Sequence, residues 1–527
     1  MKRILASIGV SASLATGLVA AGAGCSSSLT AATADGGFGG GLAPGAGNDA
    51  TVGSGPSSGN SSGSTSGGGS EAAVSASSGS GSNGGPPLES GVSIMPGGPN
   101  DGGALTDATD MADGDATGTA APLEAGACNA PIGKAATWND ITTNHPVPAW
   151  LSKAKLGIGM HFGVYTVPAY HNEWFIQHEY CNSAFAAFTK QNFPATSPLS
   201  GGPWGYKDFI SLFTVSQWSQ PAAAGAATSA ASWAALFKKT GAAWVQMTAQ
   251  HHDRFAMWDS AEPTGVGGAG KWNAMKMGPK RDVVGELAAA VKAQGLKFGV
   301  SNHIMYGYSF VYCPASTPPS TPASVSDLYD PRYADFYGPP NPGCGVNAAA
   351  APCPSGQPVQ SFLDDWLYRS NELADKYQLD TEWFDWDGAQ DAASLAAKLS
   401  FALHYYKGAC ARGQDVAIIA KGGIFPNNDN SVTGSNVMVT DFQSTVPAAG
   451  QQPKGTWMSD VTVSTNGSWG YTTGMTYKSA ASITSQLDTI NSRGGIMLLN
   501  ISPMLDGTIP AEQVAILNAI GKHLGAQ

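Results

Sequence analysis

The strongest constraint on the fold is a repeating unit: a short run that is apolar on both faces, then an amphipathic helical stretch. It recurs over roughly 400 residues from Cys128 onward. The runs are KLGIGMHFGVY, AAWVQMTA, LKFGVS, TEWFDWD, VAIIA, NVMVTDF and GGIMLLNIS. A strand that is apolar on both faces must be covered on both, as in a parallel sheet buried under helices. Helical patterns such as SAASWAALFKKTG and VQSFLDDWLYRSNELADKY fall between the runs. Asp282 stands as the N-cap of VVGELAAAVKAQG, with Gly295 at its end. No GxGxxG or GxxxxGK follows a strand, so nucleotide-binding folds lose support. Alternation over this length predicts an α/β fold, a (β/α)8-like barrel spanning 128–527.

The runs end in polar residues. The first ends in His161, the second in His251, His252 and Asp253, the third in Ser301, Asn302 and His303, the fourth in Asp385. In a barrel these ends converge on one face, which carries the active site. Asp385 sits between Phe384 and Trp386; a carboxylate ringed by aromatics is costly to bury unless it is used or paired. Aromatic faces beside a carboxylate fit a sugar site, with Glu173 and Trp174 after the first run as further candidates. The HHD triplet allows several readings. Metal ligation would want a further His or Glu at regular spacing, and adjacent strand residues point to opposite faces. Activation of a nucleophile would want a Ser or Cys elbow, and no GxSxG is present. Hydroxyl binding by neutral imidazoles fits best, with core packing as the plain alternative.

Upstream of Cys128 the chain changes character. MKRILASIGVSASLATGLVAAGAGC, residues 1–25, reads as a signal peptide; a lipoprotein-type cleavage would leave lipidated Cys25 as the first residue. Residues 26–127 are Gly/Ser-rich with almost nothing to bury, and read as a disordered linker. These features predict export, as a cell-envelope lipoprotein or a secreted protein. Six further cysteines are even in number and suit an oxidising compartment. Cys313, Cys344 and Cys353 cluster in a Pro-rich insertion, where pairing among them would staple the loop. A net charge of -11 with no basic block argues against nucleic acid as a partner.

The ordered motifs KLGIGMHFGVYTVPAYHNEWF, AQHHDRFAMWDS, MGPKRDVVGELAAAVKAQGLKFGV, EWFDWD and GGIMLLNISPMLDGTIP together resemble the α-L-fucosidases of glycoside hydrolase family 29. The resemblance implies a barrel related to (β/α)8, usually followed by a β-sandwich. This sequence stops 17 residues after DGTIP, so the sandwich is expected to be absent. It also implies a retaining, metal-free hydrolase without cofactor, acting on fucosylated glycans or glycoconjugates. On the matching positions it puts the nucleophile at Asp385 and fucose binding at His161, Glu173, Trp174, His251, His252 and Trp383, with Asp253 orienting one histidine.

Two positions depart from the family pattern. GVSNH stands where a Tyr is usual, so Asn302 or His303 is expected to take over that contact. In VTDFQSTVP, Gln443 and Val446 stand where the acid/base Glu is expected; Asp441 is the nearest carboxylate and Asp460 another. Asp441 is therefore the expected acid/base. The alternative function is a fucose-binding protein on a catalytically impaired hydrolase scaffold.

Overall fold

The computed structural model describes residues 137–526 apart from 139, 142–144, 219–226, 314–325, 339–357, 386–388 and 427–437. The expected leader, tether and lipid site fall outside the described residues, as do Cys128, Cys344 and Cys353. The chain divides into Met1–Asp113 and Gly114–Gln527, and everything described lies in the second unit.

Eight parallel strands close into a barrel in sequence order. They are β1 (Leu156–Met160), β2 (Trp244–Gln250), β3 (Lys297–Asn302), β4 (Thr381–Phe384), β5 (Ala417–Lys421), β6 (Val439–Asp441), β7 (Trp457–Thr462) and β8 (Ile496–Ile501). The main helices are α1 (Ala230–Thr240), α2 (Val283–Ala293), α3 (Gln360–Tyr377), α4 (Ala392–Ala411), α5 (Ala480–Ser492) and α6 (Ala511–His523). The expected (β/α)8-like barrel is thus present. The Asp282 carboxylate accepts from Gly285 N at 2.8 Å and starts α2 as expected.

Seven strands coincide with the apolar runs, whereas β7 does not. Its Ser459 and Asp460 are buried yet polar, which hides it from an apolar pattern. Inside the barrel one cluster holds Trp244, Trp383, Ile419, Val439, Met458 and Leu498. Gly157 makes room for this filling: a Cβ there would stand 2.5 Å from the Trp244 ring. The outward residues Val245, Phe298, Ile418 and Phe384 join the larger core under the helices.

The interior row sets the functional face. Two residues beyond an inward position, the side chain again points to the barrel axis. Counting on from Trp383, Ile419, Val439, Met458 and Leu498 gives Asp385, Lys421, Asp441, Asp460 and Asn500. All five lie at or near the C-terminal strand ends, the face where barrels carry their sites.

Candidate active site

Asp385 is the centre of the cluster. Its Oδ1 accepts from Lys421 Nζ at 2.5 Å, and its Oδ2 lies 3.0 Å from His303 Nδ1 and 3.4 Å from His252 Nε2. Burial pushes this carboxyl up. Lys421 and the two histidines outweigh it and hold Asp385 well below the usual carboxylate range. These neighbours keep the carboxylate ionised, the form that is able to act as a nucleophile.

Burial keeps the imidazoles of His161, His251 and His303 neutral. The His303 pKa is lowered to about 3, that of His251 well below its ordinary value, and that of His161 is lowered too. Asn500 Nδ2 donates to the Trp469 carbonyl at 2.8 Å, which leaves its Oδ1 as acceptor for His161 Nδ1 at 2.7 Å. His161 therefore carries its proton on Nδ1 and has Nε2 as a lone-pair acceptor. A neutral ring with one fixed acceptor suits a sugar hydroxyl.

His251 and His252 do not diverge as two adjacent strand residues would. They follow the end of β2, and the β2–β3 register shifts between Thr248 and Gln250. The extra residue turns Gln250 outward, where its Nε2 donates to Asn302 Oδ1 at 3.0 Å, and the chain then leaves the sheet. Both histidines reach the cluster, with ring centroids 4.5 Å apart and 4.7 and 5.5 Å from His303. Trp174 is 42% exposed, an unusual state for an indole, and packs edge-on to Phe310 at 5.3 Å and His252 at 6.3 Å. It forms an open platform beside His252. Trp383 is buried, 5.0 Å from the His303 ring.

Four expectations need revision. Asn302 is one residue out of phase with Ser301 and faces the helices; its Nδ2 donates to Ser370 on α3 and to Glu382. It is not brought to the cluster, whereas His303 is. Asp253 orients neither histidine through a direct hydrogen bond; it accepts from Tyr206 Oη at 2.8 Å and Phe255 N at 3.1 Å. Asp441 is buried with both oxygens engaged, Oδ2 by Trp383 Nε1 at 2.8 Å and Oδ1 by Asp460 N at 3.0 Å. Burial raises its pKa from 3.8 to about 6, and it lies beneath the cluster rather than on its open side. Finally, Cys313 pairs with Cys181 rather than within its own insertion. The bond joins the helix behind Trp174 to the segment carrying Phe310, two loops that meet on this face.

Glu173 comes to the site and also holds it together. Its Oε2 accepts from Trp469 N at 2.9 Å and Gly470 N at 3.1 Å, fixing the loop after β7 against the loop after β1. Lys421 and Asn500 were not foreseen. A Lys closing the apolar run VAIIA was the available signal for the first.

Among the described residues two sets could hold a metal ion: His161, His251 and His303, or His252, His303 and Asp385. Both depend on His303, whose two ring nitrogens already face Asp385 and Ser301. A cavity of about 20 Å³ below the cluster is lined by His161, Ser301, Trp383, Asp460 and Asn500, room for one water. A far larger cavity of about 750 Å³, lined by Arg254, Glu262, Lys271 and Phe362, contains none of the cluster residues. The cluster of ionisable and aromatic groups around Asp385, outside the larger cavity, is the candidate site.

Comparison with known proteins agrees with this fold. The α-L-fucosidase family model matches residues 125–527. The tissue α-L-fucosidase of Rattus norvegicus is 30% identical over 243 residues, 46% of this chain and 48% of that protein. The plasma α-L-fucosidase of Homo sapiens is 26% identical over 396 residues, covering 74% and 69%. The chain thus spans about half the length of the tissue-type relatives it matches. A Thermotoga maritima α-fucosidase solved in complex with fucose is 25% identical, with a TM-score of 0.50 over 74% of this chain and 76% of that one. With a closed eight-stranded barrel and a match across its whole folded part, the chain belongs to the α-L-fucosidase family.

Proposed function

We propose that this protein is an exo-acting α-L-fucosidase that hydrolyses terminal α-L-fucosides by double displacement with retention. Asp385 attacks C1 and forms a fucosyl-enzyme; water then releases fucose. The observation that carries the reading is Asp385 itself: a carboxylate at a strand end, held ionised by Lys421 and flanked by His252 and His303. His161, His251, His252, His303 and Glu173 bind the sugar hydroxyls, while Trp174 and Trp383 bound the ring. The related Thermotoga enzyme, solved with fucose, supports a fucose-sized site. Fucosylated glycans or glycoconjugates are the partners. The leader-like N-terminus and the Cys181–Cys313 bond favour an exported enzyme, either secreted or held at the envelope through Cys25.

Asp385→Gly tests the nucleophile. It abolishes turnover of an aryl α-L-fucoside while the fold is kept, and azide restores part of it. The rescued product is β-fucosyl azide, because a single displacement inverts C1. A rescued product of α configuration, or an undiminished rate without azide, removes Asp385 from this role.

A further inference from the structure

A retaining glycosidase holds its second carboxyl about 5–5.5 Å from the nucleophile, where it protonates the departing oxygen and later deprotonates water. Here Lys421 Nζ lies 2.5 Å from Asp385 Oδ1 on one side and 2.7 Å from Gln443 Oε1 on the other. Those two oxygens are therefore within about 5 Å of each other. Gln443 is exposed, on the loop that leaves β6, while Asp441 two residues earlier is buried and fully engaged. The position across from the nucleophile is filled by an amide.

Resting on the reading of Asp385 as nucleophile, we propose that Gln443 occupies the acid/base position, so the enzyme is selective for α-L-fucosides whose leaving group departs as a stable anion. Aryl and acyl fucosides form that class; fucosides of sugar hydroxyl groups do not. The amide cannot supply a proton. Lys421 has only donors, so it fixes Oε1 as the near atom, and the Nε2 hydrogens are left to hydrogen-bond the departing oxygen. When Asp385 attacks, the new bond is Oδ to C1. The bond that breaks is C1 to the glycosidic oxygen, and its electron pair leaves on that oxygen. A phenolate or carboxylate carries the charge unaided, whereas an alkoxide does not.

The second half-reaction follows the same logic. With an amide at 443, no carboxylate at that position takes the proton of the water that attacks C1 of the fucosyl-enzyme, and the proton passes to solvent. The intermediate is thus long-lived. A small anion such as azide needs no base and intercepts it. Two successive inversions then give α-fucosyl azide, the opposite anomer from that formed by Asp385→Gly.

The test uses the wild-type chain first. Its kcat/KM is measured for aryl α-L-fucosides over a series of phenol acidities and for fucosyl disaccharides, with and without azide. The expected result is a steep fall as the leaving group becomes more basic, with azide raising kcat on the most activated substrate and yielding α-fucosyl azide. Gln443→Glu then supplies the missing acid. It raises kcat/KM on disaccharides by about 10²–10⁴-fold, flattens the leaving-group dependence and adds a basic limb to the pH profile. If the wild-type enzyme cleaves disaccharides as readily as aryl fucosides, with no azide effect, the proposal is overturned and the fucosidase reading stands. Turnover of none of these fucosides overturns both. The leaving-group series needs no variant, so a failure of Gln443→Glu to fold does not protect the idea.

Discussion

Replacing Lys421 with Met removes a charge from Asp385 while keeping most of the aliphatic stem. Nζ stands 2.5 Å from Oδ1, and both side chains are 16% exposed. Two unit charges 4 Å apart at an effective dielectric of about 20 interact by about 4 kcal/mol. Solvent takes part of this at such exposure. Half of it, about 2 kcal/mol, is still more than tenfold in the proton affinity of the carboxylate. The direction follows from the groups present: Lys421 favours the ionised form of Asp385 and burial opposes it. Without Lys421 the carboxyl holds its proton to higher pH. In the proposed mechanism only the carboxylate attacks C1, so the acid limb of kcat/KM moves upward. The assay is hydrolysis of an activated aryl α-L-fucoside across the acid range. Lys421→Arg, which keeps a cation, holds the limb near that of wild type. A Met variant whose limb superimposes on wild type refutes the electrostatic argument. A uniform loss at all pH values shows instead that Lys421 sets geometry.

Asp253→Asn tests a buried carboxyl on the other side of the histidine pair. Burial raises its pKa from 3.8 to about 6, so the charged form is disfavoured in the folded protein. Its contribution to stability is full below the unfolded value and is lost as pH rises through about 6. The amide carries no such term, so the Tm difference moves in favour of Asn over that window; a pH-independent difference refutes the assignment. Removing the Cys181–Cys313 bridge, which closes 132 residues, with paired Ser substitutions costs roughly 2–5 kcal/mol in urea unfolding. It also weakens fucose binding, because Trp174 and Phe310 lose their common anchor; an unchanged midpoint and unchanged affinity contradict this.

What the sequence made legible, and what it hid, divide along the inward face of the strands. Apolar runs found seven strands because their buried residues are mostly hydrocarbon. β7 escaped because Ser459 and Asp460 are buried in a strand whose apolar residues are too few to announce it. A carboxyl among aromatics announced Asp385, since that combination is expensive unless used. Lys421 went unnoticed because a terminal Lys on a strand usually reaches solvent, and only the closed barrel turns it toward Asp385. Asn302 was offered, with His303, for the contact of the missing Tyr in GVSNH, although one residue of offset reverses a strand side chain. The histidine pair failed the opposite test: strict alternation separates His251 from His252, and a one-residue register shift with an early strand end brings both to the site. These departures from regular pattern sit at the C-terminal barrel face or feed into it. That is expected where selection acts on chemistry rather than on packing. The same reasoning gives Gln443 its weight. Its absence of charge was visible in the sequence, but only its distance from Asp385 through Lys421 turns a missing Glu into a proposal about leaving groups.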